Sequence, residues 1–196
     1  MNKIYIIHCW DGTKDDGWYP WLDKKISNDN NKVYRLNMPN TNNPKIEEWI
    51  NELEKHVDNL DKNTFFVGHS IGSQTILRYL EKHNKDKIGG ILLVAPWLDL
   101  LPEAINDEES YNTAKPWLNT PINFEKIKKI TNNITCIFSD NDYFVPSSEI
   151  NKFESLLNAK IIIVNNKGHI SMDDEINELK EIYDAMLDII NNKEKE

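Results

Sequence analysis

Hydrophobic positions along the chain fall into two alternating patterns. Short continuous runs rich in β-branched and aromatic residues occur at 3–7, 32–36, 64–67, 88–94, 135–138 and 160–164. Each is too short for a stable helix and reads as a buried strand. Between these runs, apolar residues recur at helical spacing. Ile46, Trp49, Ile50, Leu53 and Val57 share one face of a helix expected to open at Pro44 and run to about Leu60. Pro20 suits the first turn of a helix ending near Ser27, and Gln74 to Leu80 belongs to one reaching about His83. Further helices are expected at 124–130 and 147–158, and Asp173 or Asp174 caps a last one through Ile190. Residues 28–31 and 37–43 are polar and read as a turn and a loop.

The alternation breaks over residues 95–121. Pro96, Trp97, Pro102, Pro116, Trp117 and Pro121 surround an acidic middle of Asp107, Glu108 and Glu109. This segment reads as an insertion over the strand ends, a small lid, rather than a regular crossover helix. The remainder alternates strand and helix about six times without internal repeats. That pattern predicts one α/β domain over residues 1–190, an open parallel sheet with helices on both faces, followed by a charged tail at 191–196. The unbroken apolar run at 88–94 is typical of a strand covered on both faces.

Open parallel sheets bind ligands beyond the carboxyl ends of their strands. Residues there are His8, Cys9 and Trp10 after the first strand, Ser70 after the third, and Ala95, Pro96 and Trp97 after the fourth. Asp140, Asn141 and Asp142 follow the fifth, and Gly168 and His169 the sixth. Ser70 stands in Gly68-His69-Ser70-Ile71-Gly72, a G-x-S-x-G run between a strand and a helical pattern. That setting makes a nucleophile elbow, in which a sharp turn projects the serine clear of the sheet.

The serine hydroxyl needs a base to remove its proton as it attacks. His169 can accept that proton at neutral pH and return it to a leaving group. His56 and His83 lie on helical stretches, His69 points away from Ser70, and His8 is the one rival base. Asp142 is the favoured carboxylate to orient the imidazole, because Val145 and Pro146 would anchor its loop, with Asp140 as the fallback. The backbone N–H groups of Ile71 and Trp10 are expected to form an oxyanion hole. Trp18, Trp97, Leu98 and Trp117 are candidates for an apolar substrate pocket.

Charge and cysteine content narrow the function. A formal net charge of −9 argues against a nucleic-acid surface, and 196 residues suffice for one core. Two cysteines, Cys9 and Cys136, in strand-like surroundings make no disulfide framework and suit a reducing cytoplasm. No targeting signal is visible, and the longest apolar stretch, residues 88–98, contains Gly89, Gly90 and Pro96 and is too short to span a membrane. No cofactor is expected. A metal site at His8, Cys9 and Asp11 is disfavoured, because near-consecutive residues rarely converge on one ion. The expected partner is a small-molecule ester or amide substrate.

Four patches carry a family resemblance: Ile6 to Trp10 with Trp18-Tyr19-Pro20-Trp21-Leu22, Gly68 to Ser73, Ser139 to Pro146, and Gly168-His169. With Ser, Asp and His in that order, the chain resembles an α/β-hydrolase. More narrowly it is similar to the small serine hydrolases of the YdeN and retinoblastoma-binding protein 9 group. The resemblance implies a minimal sheet of strand order 2-1-3-4-5-6 and the triad Ser70, Asp142 and His169. It also implies an oxyanion hole from Trp10 and Ile71, and cleavage of a carboxylic ester, amide or thioester through an acyl-enzyme. The chain departs from the group at Cys9, where glycine is frequent, so the loop carrying Trp10 has less backbone freedom. A silent triad in a binding module, and lyase chemistry in the same pocket, are the competing readings.

Overall fold

A computed structural model describes residues 1–83 and 87–192. Six strands form one sheet: β1 (Asn2–Ile7), β2 (Asn31–Leu36), β3 (Thr64–His69), β4 (Gly90–Val94), β5 (Ile134–Ser139) and β6 (Lys160–Val164). All pairings are parallel and the order is β2-β1-β3-β4-β5-β6. Strand residues alternate between the faces, as a pleat requires. Tyr5, Ile7, Phe66, Ile91 and Leu93 point to one side, where α2 (Ile46–His56), α3 (Ile71–Lys82), α5 (Phe124–Ile130) and α6 (Ser148–Leu157) pack. Ile4, Ile6, Phe65, Val67, Leu92 and Val94 point to the other, under α1 (Tyr19–Ile26) and α7 (Lys180–Asn192). β3, β4 and β5 are buried at every position because both of their faces are covered, and their few polar residues, Thr64, His69, Thr135 and Ser139, lie at or near the strand ends.

Three expectations are corrected. The helix expected from Pro44 to Leu60 is α2, shorter at both ends, although Val57 and Leu60 remain buried. Beyond Val57, side chains compete with the helix for backbone groups. Thr64 Oγ1 donates to the Asn59 carbonyl and Asp61 Oδ1 accepts from the Asn63 amide, turning the chain into β3.

The second correction concerns residues 95–121, which are more regular than expected. A 3-10 turn (Pro102–Ile105) precedes a twelve-residue helix, α4 (Glu108–Asn119). Asp107 Oδ1 caps α4 by accepting from Ser110 N at 2.9 Å, so the acidic middle is a helix start and favours the positive end of the dipole. The third is the last helix, which begins at Lys180. Asp174 caps a local turn instead, accepting from Ser171 N at 3.0 Å and Ser171 Oγ at 2.7 Å. The charged tail at 191–196 enters the description only through Asn191 and Asn192, which close α7; residues 193–196 lie outside the described residues. Among the described residues no helix is long and apolar enough to cross a membrane.

Candidate active site

At the end of β3 the chain reverses into α3 within one residue. Ser70 holds φ 54° and ψ −122°, a strained conformation for a non-glycine residue, and its amide donates to the Val94 carbonyl at 2.8 Å. The bracketing glycines allow the close approach. A Cβ on Gly72 would sit 2.5 Å from the Ile7 carbonyl oxygen, and one on Gly68 would sit 2.7 Å from Ser73 Cα. Ile71 opens α3, so its amide belongs to the helix's first turn, which has no intrahelical acceptor.

Loops after β5 and β6 supply the other two groups. His169 Nδ1 lies 2.8 Å from Asp142 Oδ2, with the side chains 7% and 5% exposed. The second oxygen of Asp142 accepts from the Phe144 and Val145 amides at 2.8 and 3.0 Å, which fixes the carboxylate. With Nδ1 donating to Asp142, neutral His169 presents Nε2 as an acceptor. Asp140 does different work: its Oδ1 accepts from the Asn166 amide at 2.8 Å. Lys167 N donates to Ser139 Oγ at 3.0 Å and Gly168 N to Asn141 Oδ1 at 2.9 Å, so the loop before His169 is held residue by residue.

His69 completes that grip, a role its position in the elbow did not reveal. His69 Nε2 donates to the His169 carbonyl at 2.9 Å, leaving Nδ1 to accept from the Tyr19 hydroxyl at 2.6 Å. The same hydroxyl accepts from Cys9 N at 3.3 Å, linking the loop after β1 to the loop after β6. Burial, with His169 nearby, pushes the His69 pKa down to about 3 and keeps the ring neutral. Ile170, buried and β-branched, has φ 57° directly after His169, and its carbonyl accepts from Trp18 Nε1 at 2.9 Å. The usable sequence signal was a histidine inside an otherwise apolar strand, since a buried polar side chain demands partners.

The four aromatic and aliphatic pocket candidates separate. Trp97 lines a cavity of about 480 Å³ together with Ser70, His169 and Trp10. Trp18 packs beneath the His169 loop and borders a smaller neighbouring cavity. Trp117, on the buried face of α4, donates its indole N–H to the Pro44 carbonyl at 3.0 Å. Leu98, near the start of the segment that leads to α4, donates its amide to buried Glu149 at 2.6 Å. Leu98 and Trp117 do not line the large cavity. Its rim carries the exposed carboxylates Asp11, Asp107, Glu109 and Asp173.

His8, the rival base, has both ring nitrogens engaged. Nε2 accepts from Met38 N at 3.0 Å, and Nδ1 donates to the Cys9 carbonyl at 2.8 Å. Burial lowers its pKa and pushes the Cys9 thiol up to about 11, so neither presents an ionised form near neutrality. Among the described residues no three His, Cys, Asp or Glu side chains are arranged to hold a metal ion.

A six-stranded parallel sheet in this order, with a left-handed serine between its third strand and the following helix, defines an α/β-hydrolase fold. Comparison with known proteins agrees. The family described as Serine hydrolase matches residues 4–188, and the chain belongs to that family and is a serine hydrolase. It is 30% identical over 169 residues to YdeN of Bacillus subtilis (strain 168), covering 86% of this chain and 85% of that one. The crystal structure of the ydeN gene product superposes with a TM-score of 0.87, covering 97% and 100% of the two chains. The serine hydrolase RBBP9 of Rattus norvegicus is 27% identical over 154 residues, covering 78% of this chain and 77% of its own. Ferulic-acid-bound Est1E from Butyrivibrio proteoclasticus shares the fold at 16% identity, with a TM-score of 0.70 over 97% and 90% of the chains.

Proposed function

We propose that the enzyme cleaves a small carboxylic ester through an acyl-enzyme on Ser70, with His169 as general base and acid and Asp142 as its orienting carboxylate. The observation that carries this reading is the His169–Asp142 contact at 2.8 Å in the loops bordering the cavity that Ser70 lines. Ser70 Oγ attacks the carbonyl carbon as His169 Nε2 takes its proton, and the carbonyl electron pair moves onto oxygen. The amides of Ile71 and Trp10 hold that oxyanion, a contribution worth roughly a hundredfold or more per donor in comparable sites. His169 then protonates the departing alcohol. Water, deprotonated by the same nitrogen, releases the acid and restores Ser70.

Amide and thioester substrates would follow the same path with a different leaving group. The cover over residues 98–119 closes one side of the cavity and acts as the lid that selects the acyl chain. Free Cys9 and Cys136 fit a protein working in the reducing cytoplasm. A chain-length series of p-nitrophenyl esters tests the reading. Saturable turnover by the native protein, falling to background in Ser70→Ala, is expected. Equal turnover in Ser70→Ala would overturn the nucleophile, and no turnover of any ester by the native protein would overturn the substrate class.

A further inference from the structure

The Ser70 hydroxyl meets a donor that the triad does not include. Trp97 Nε1 lies 3.2 Å from Ser70 Oγ, and the indole is 1% exposed. An indole nitrogen donates and never accepts, so the hydroxyl oxygen is the acceptor and its own proton stays free for His169. The ring is held in place rather than resting there. Ala95, at φ 45°, turns the chain off the end of β4. The Trp97 carbonyl accepts from Gln74 Nε2 at 3.0 Å, and Gln74 Oε1 accepts from buried Arg78 at 2.8 Å. Gln74 and Arg78 both stand on α3, the helix that Ser70 precedes, so the donor and its acceptor are referenced to one rigid element.

We propose that Trp97 is a catalytic residue, its indole N–H stabilising the negative charge that Ser70 Oγ carries as bonds to it form and break. This rests on the reading of Ser70 as the nucleophile. In acylation the Oγ–H proton moves to His169 as an Oγ lone pair bonds to the carbonyl carbon and the carbonyl pair moves onto oxygen. The carbonyl re-forms as the C–O bond to the alcohol breaks, and the alcohol takes the proton from His169. In deacylation a water oxygen bonds to that carbon as His169 takes the water's proton and the carbonyl pair moves onto oxygen. The tetrahedral species then re-forms the carbonyl as its C–Oγ bond breaks. The electron pair stays on Oγ, which takes a proton from His169. No bond to the indole is made or broken.

A hydrogen bond to an oxygen bearing charge is roughly twice as strong as one to a neutral oxygen. An ester oxygen, which Oγ becomes in the acyl-enzyme, is a weaker acceptor than either a hydroxyl or an alkoxide. The indole therefore favours the charged Oγ over the acyl-enzyme, and a group that binds the transition state better than the ground state accelerates the step. Because Trp97 is already oriented, little reorganisation accompanies the reaction.

The test compares native protein, Trp97→Phe, and a variant carrying 3-benzothienylalanine at position 97, in which sulfur replaces the indole N–H at nearly unchanged shape. Burst kinetics with p-nitrophenyl acetate separate acylation from deacylation, and intact mass follows the acyl-enzyme. Deacylation is expected to slow about tenfold in both variants, equivalent to about 1.4 kcal/mol, and the acyl-enzyme to accumulate. A packing role alone predicts slower deacylation in Trp97→Phe but a native rate with benzothienylalanine, and that result overturns the proposal. Native rates in both variants overturn it too. A native protein with no burst and no Ser70 adduct would instead overturn the nucleophile reading, a distinguishable failure.

Discussion

On the His169 side of the cavity, four consecutive residues are gripped through their backbones: Asn166 by Asp140, Lys167 by Ser139, Gly168 by Asn141 and His169 by His69, at 2.8 to 3.0 Å. On the opposite side, the cover from Leu98 to Asn119 is tied mainly near its ends. Leu98 is held by Glu149, Leu101 by the Phe144 carbonyl at 2.8 Å, and the far end by Arg78, which donates to the Trp117 and Thr120 carbonyls at 3.0 and 2.7 Å. Between those ties the surface is exposed and acidic, with Tyr111 46% exposed. Side-chain hydrogen bonds concentrate on the loop that carries His169 to Asp142. The cover keeps surface side chains that can change without moving the His169 loop.

That contrast is sharpest at the two aspartates after β5. Asp142→Asn leaves the loop intact but favours the wrong His169 tautomer, and turnover is expected to fall by about four orders of magnitude. Asp140→Asn loosens only the Asn166 amide, and steady-state assays should register less than about a tenfold loss. Equal losses would erase the distinction between orienting the base and holding its loop.

His69→Phe tests the grip itself. It leaves the Tyr19 hydroxyl and the His169 carbonyl without their buried partner, and urea unfolding at pH 7 should show a loss of about 2–3 kcal/mol. The native His69 pKa is depressed to about 3 from its ordinary value near 6.5. Its contribution is therefore fully present above about pH 6.5 and lost as pH falls toward 3, at up to about 1.4 kcal/mol per pH unit. His8, also depressed by burial, acts in the same direction in both proteins, so the difference between their pH profiles isolates His69. Parallel profiles would contradict a neutral, buried His69.

On the cover side, Arg78→Met removes the donor to Trp117 and Thr120. Amide exchange in α4 should quicken about tenfold while the amides of residues 166–170 stay protected; equal acceleration in both would mean the two walls open together. The smallest effect concerns charge at the rim. The p-nitrophenyl hemisuccinate ester should be cleaved about fivefold more slowly than the butyrate ester, and high salt should abolish the difference, because the rim carboxylates are exposed.

The strands and the elbow were legible in the sequence because each depends on local pattern. Apolar β-branched runs marked all six strands, and β6 at residues 160–164 needed no revision of its bounds. The 2.8 Å contact between Asp142 and His169 was within reach of the sequence because strand ends converge at one edge of a parallel sheet. The C-terminal end of α2 and the start of α7 were misplaced because side-chain hydrogen bonds of Thr64, Asp61 and Asp174 override helical periodicity. α4 hid behind Pro116, which it accommodates inside its last turn. The His69–Tyr19–Cys9 chain and the Trp97–Ser70 contact join residues separated by tens of positions, and no spacing rule announces such pairs.

Covalent capture at the elbow tests the central claim most directly. Native protein treated with a fluorophosphonate probe, digested and mapped by mass spectrometry should carry one adduct, on Ser70, and Ser70→Ala should carry none. An adduct on another residue, or labelling that persists in Ser70→Ala, would contradict the account.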